Sequence, residues 1–148
     1  MPRKFGFALA ILMMSAAPAM AGVSVCGDMP VAPDLPTAKD IANKAPADAA
    51  AAKHQAFLDV VGWQKQVKNY RSCLEAAQKE DKRASVDAQQ RGGDDVDQRV
   101  TELNADVNEG DVRYNASVVT EQQLAGEFGE ISKAYCSRSD VDKTTCPK

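Results

Sequence analysis

The chain has 148 residues, of which 26% are charged and 5% aromatic, and its formal net charge is −3. One domain is the expectation at this length, and an acidic chain with no basic stripe excludes the electrostatic footprint of a nucleic-acid binder or of a protein held on an anionic membrane. A composition rich in Ala, Asp, Gln, Lys and Val suits helices with narrow apolar seams better than a thick core.

The chain opens with the basic Met1-Pro2-Arg3-Lys4, an apolar run from Phe5 to Ala17, and Ala19-Met20-Ala21, an A-x-A cleavage pattern. That is the layout of a secretory signal peptide, residues 1–21, cut after Ala21. The run is shorter than the roughly 20 residues a membrane span needs, and Pro18 follows it. Val25, before Cys26, does not match the small residue of a lipid-attachment site. Loss of Arg3 and Lys4 would take the net charge from −3 to −5.

Residues 22–46 read as an arm. Pro30, Pro33 and Pro36 recur every third residue, and each proline fixes φ and biases its predecessor to extended geometry. The expectation is a semi-rigid segment near polyproline II, lying on its own domain rather than serving as a PxxP ligand. Thr37, with Asp40 three residues on, has the pattern of a capping box for a short turn reaching Lys44.

Residues 47–136 carry helical periodicity. Pro46 and Asp48 suit a helix start. Ala56, Val60, Trp63, Val67, Tyr70, Leu74, Ala77, Asp81, Ala84 and Ala88 then alternate spacings of four and three, a heptad seam with one polar break at Asp81. Phe57 and Val61 widen it at the N-terminal end. Residues 91–94, Arg-Gly-Gly-Asp, end this helix, with Asp94 placed to cap the next.

A second seam runs through Val96, Val100, Leu103, Val107, Gly110, Tyr114, Ser117, Glu121, Leu124, Phe128, Ile131 and Tyr135. The polar exceptions cluster between Gly110 and Glu121, which leaves room for a break near 115–120. Thr120-Glu121-Gln122-Gln123 could then cap a separate third helix. Two seams about a Gly-Gly turn predict an all-α, long antiparallel two-helix hairpin, with partner numbers summing to about 185. Phe57 should face Phe128, and Tyr70 should face Tyr114. Residues 137–148 form a short tail.

All four cysteines, Cys26, Cys73, Cys136 and Cys146, lie beyond the expected leader. An even count in an oxidising compartment implies two disulfides, with three pairings open. No close C-x-x-C pair suggests zinc. His54 is the only imidazole, and Asp59, five residues on, is on another face, so His54 reads as an exposed helix residue. Asp94-Asp95-x-Asp97 resembles the start of a calcium loop, but Arg99 stands where an EF-hand needs glycine. Arg71 beside Cys73 raises the idea of a reactive thiol, yet no resolving cysteine lies near in sequence.

Cys26-Gly27 with Pro30 and Pro33, Tyr70-x-x-Cys73-Leu74, Tyr114-Asn115-x-x-Val118, Ala125 and Phe128 together resemble a group of small exported proteobacterial proteins of helical type and uncharacterised function. The resemblance implies no activity. It does imply that Cys26 pairs with Cys73, which leaves Cys136 with Cys146. Chain length permits this: about 20 arm residues can span roughly 60 Å when extended. In the rival pairing, of Cys26 with Cys136 and Cys73 with Cys146, the short tail barely spans the distance to the helix middle.

The expected function is that of a periplasmic or secreted, non-enzymatic helical structural or interaction protein of the bacterial cell envelope. It would act through its hairpin faces, with a protein partner or by self-association near Val96 and Phe128. No cofactor, metal, nucleic acid or stable membrane anchor is expected. The alternative is a disulfide-stapled envelope inhibitor or ligand-binding protein presenting residues 137–145.

Overall fold

The computed structural model describes residues 22–146. The expected leader, residues 1–21, lies outside the described residues, as do the last two. A 3-10 turn, Val23–Cys26, is followed by α1 (Ala38–Asn43), α2 (Pro46–Arg91) and α3 (Val96–Cys136), with no strand among the described residues. α2 has 46 residues and α3 has 41, hence roughly 69 and 62 Å at 1.5 Å per residue. They pack side by side as an antiparallel hairpin.

Local chemistry sets the ends. Pro46 is the first residue of α2, where its missing N–H costs nothing. The turn uses Gly92 at φ 64° and Gly93 at φ 124°, a pair of conformations closed to most L-residues. α3 starts one residue later than the sequence suggests. Asp95, not Asp94, is the cap residue, and it accepts the backbone N–H of Arg99 at 3.0 Å through its carbonyl, with no side-chain cap bond.

The first seam is buried at every position except Ala84, which is half-buried. All twelve positions of the second seam are buried or half-buried. Register follows the expected sum of about 185: Phe57 meets Phe128, Gln64 bonds Glu121, and Gln78 bonds the Val107 carbonyl. The expected break near 115–120 is absent, and α3 is continuous from Val96 to Cys136. The polar residues that suggested it are interhelical partners. Gly110 lets Gln78 come within 2.7 Å of where a Cβ would stand. Ser117 accepts from Arg71 Nε at 2.7 Å, and Glu121 pairs with Arg71 Nη1 at 2.6 Å.

The arm lies along the hairpin but is not extended throughout. It begins with the 3-10 turn and ends in α1, whose N-terminus carries the Thr37–Asp40 capping box. Between them Trp63 Nε1 donates to the Pro30 carbonyl at 3.0 Å. Ile41, fully buried, joins Ala49, Ala56, Ile131 and Tyr135 in a core at the open end. Trp63→Phe removes the indole donor and some buried volume, and is expected to lower stability by about 1–2 kcal/mol in urea unfolding.

Candidate functional site

The hairpin's open end holds a groove. Ala50, Lys53, His54 and Phe57 stand at i, i+3, i+4 and i+7 on α2, one face of the helix. Phe128, Ser132 and Tyr135 face them from α3, and Asp142 and Thr145 close one side. The cavity is about 660 Å³. The Phe57 and Phe128 rings lie 6.0 Å apart and tilted by 47°, within the range of a favourable aromatic pair. Phe57 is nevertheless 46% exposed, so the aromatic pair forms a wall of the groove.

Both disulfides frame the molecule. Cys26 is bonded to Cys73, and Cys136 to Cys146. The second closes a clasp that is anchored rather than protruding. Lys53 Nζ donates to the Thr145 carbonyl at 3.1 Å and sits 4.7 Å over the Tyr135 ring. Tyr135 donates its hydroxyl to the Asp142 carbonyl at 3.1 Å. Arg138 Nη1 donates to the carbonyls of Ile41 and Lys44, each at 2.8 Å. A cation there satisfies the orphan carbonyls at the end of α1. Asp140 is held below the usual carboxylate range, first by its hydrogen bond from Arg138. Asp142 is lowered by bonds from Thr144.

The other singled-out residues are dispersed. His54 is exposed at the groove rim. Tyr70 is buried and Tyr114 half-buried, in one cluster with Val23, Leu74 and Ala77. Asp94, Asp95 and Asp97 are exposed at the start of α3, and no group of three His, Cys, Asp or Glu residues placed to hold a metal is found among the described residues. No helix among them is long and apolar enough to cross a membrane.

Sequence reasoning passed over one arrangement and the surroundings of another. One is the layer of Arg71, Ser117 and Glu121, because Arg71 stands beside the seam rather than in it. The other is at the polar break. Asp81 is 4% exposed, its Oδ2 lacks a hydrogen-bond partner, and burial, then Asp106 and Glu80, push its carboxyl up. A carboxyl raised in the folded state costs stability once ionised. The loss sets in as pH rises from the unfolded value of about 3.9 through the folded one.

Compared with family models, curated proteins and solved structures, the chain gives no match.

Proposed function

We propose that this chain is an exported, non-enzymatic helical interaction protein of the bacterial cell envelope, and that the groove at its stapled end receives an apolar side chain of a protein partner. The observation that carries the reading is the exposure of Phe57 on the wall of a concave, largely apolar groove. Single exposed apolar residues are ordinary, but one set in a concave apolar groove is a candidate anchor for a partner's side chain. Two disulfides support the compartment, since such bonds persist in oxidising surroundings. The rod between them is pre-organised, which lowers the ordering cost of binding.

Phe57→Asp is expected to reduce photocrosslinking of the groove to envelope proteins about tenfold, the loss of one good apolar anchor. Because Phe57 is half exposed, the thermal midpoint should move little, by about 0.5 kcal/mol equivalent. Undiminished crosslinking, together with a monodisperse monomer in sedimentation equilibrium, sinks the reading.

A second reading, a ligand-binding protein, is favoured by the cavity volume of about 660 Å³. It shares the groove but not the partner. Binding of small amphiphiles by the purified protein, abolished by Phe57→Asp, would select it. The inhibitor variant, with residues 137–145 as a presented loop, fits less well because Lys53, Tyr135 and Arg138 tie that segment to the helices.

A further inference from the structure

Towards the Gly-Gly turn of the hairpin three features occur that the interaction reading does not use. Asp81 on α2 is 4% exposed and its Oδ2 is unpartnered. Asp106 on α3 is near enough to repel it. The third is the backbone of Gly22, where an added Cβ would lie 2.8 Å from Asp106 Oδ2. The Gly22 nitrogen is bonded to the same Cα, roughly 2.5 Å from that point, so it stands within about 5 Å of the carboxylate.

Gly22 is held in place. Its carbonyl accepts the Val25 N–H at 3.0 Å. Val23 is 1% exposed and packs with Leu74 and Ala77, and Ala77 precedes Asp81 by one helical turn on the same face. Cys26 is then fixed to Cys73. Chain termini usually fray; a terminus at Gly22 would not.

A carboxyl buried beside a second carboxylate must either hold a proton or find a cation. An unbroken chain offers only a neutral amide at Gly22. We infer that cleavage between Ala21 and Gly22 creates an α-ammonium that docks against Asp106 and Asp81, so that export processing completes the fold. The inference rests on the export reading above. The reaction is a hydrolysis by a leader peptidase. One water is added, the amide C–N bond breaks, Ala21 departs as a carboxylate, and Gly22 keeps the nitrogen as an ammonium. An opposite charge within 4–6 Å favours the charged form, so the ammonium beside Asp106 should be harder to deprotonate.

The test uses the exported protein, with its first residue read by intact mass, beside the same protein selectively acetylated at the α-amine. With Gly22 first, the α-amine pKa followed by NMR should lie about one unit above the usual 7.7–8.0. The stability it supplies should be full below that usual range and lost as pH rises through the folded value. Acetylation should lower the thermal midpoint by about 2–5 °C, and Asp106→Asn should remove most of the difference. Asp81→Asn should lower the midpoint of the free-amine protein and raise that of the acetylated one. A Gly22 terminus with an unshifted pKa, or an acetylation effect undiminished by Asp106→Asn, overturns the docking. A mature protein beginning elsewhere overturns the cleavage itself, and the mass separates the two failures.

Discussion

Replacing Cys26 and Cys73 together with serine is expected to lower the unfolding free energy by about 4 kcal/mol, the loop-closure value for a 47-residue separation. The size follows from what the bond ties down. Val23 and Ile41 bury the two ends of the arm, but between Cys26 and α1 its polar anchors are only the Trp63–Pro30 bond at 3.0 Å and a longer one from Arg113 to the Gly27 carbonyl at 3.3 Å. In the reduced unfolded chain the arm is independent of α2. In the oxidised one it is confined to within a few residues of the helix middle. The second bond spans only 10 residues and constrains the unfolded chain less. The double variant should keep its helical circular dichroism, because α2 and α3 still hold each other through their facing seams and interhelical polar bonds. It should also be cut faster by trypsin at Lys39 and Lys44. An unchanged urea midpoint with unchanged m-value would remove the staple from the account of stability.

The seams were the most legible part of the fold, because a four-three alternation constrains facing as well as helicity. Nine of the ten expected positions on α2 are buried, and the exception, Ala84, is half-buried. Two departures share a cause. Phe57 looked like extra seam width but is half exposed, and Ser117 and Glu121 looked like a break but lie in a continuous helix. Periodicity reports how apolar a face is, not what a polar residue on that face will meet. Only the structure puts Arg71 opposite Ser117 and Glu121, or Gln78 opposite the Val107 carbonyl and Asp111. The groove was illegible for the same reason. It depends on Arg138 and Lys53 drawing the tail back over the helix ends, through bonds spanning more than 90 residues of sequence. The chemistry of Gly22 was hidden too, since glycine carries no side chain to signal its neighbours.

Arg71→Ala is the second large effect, expected to cost about 2–3 kcal/mol. Its guanidinium makes two charge-assisted bonds, at 2.7 Å to Ser117 Oγ and 2.6 Å to Glu121 Oε2, and lies 5.5 Å from the Tyr114 ring centroid. Breaking a fully buried pair costs about 3–5 kcal/mol, because the surviving charge is left dry. Here the figure is smaller. The Glu121 side chain is 32% exposed and can turn to water, and Ser117 keeps its bond to the Tyr114 carbonyl. Truncation also removes an unpartnered donor, Arg71 Nη2. Arg71→Met separates the contributions. The methionine stem still covers the Tyr114 ring, so its cost should fall to about 1–1.5 kcal/mol, the worth of the lost polar contacts alone. Arg71→Met combined with Glu121→Gln should be less destabilising than the sum of the single changes, because the carboxylate no longer seeks a counter-charge. If the pair were a surface decoration, urea unfolding would place all three variants within about 0.5 kcal/mol of the parent. A layer that fixes register would also show itself in α3: amide exchange around Ser117 should quicken in Arg71→Ala, and less so in Arg71→Met.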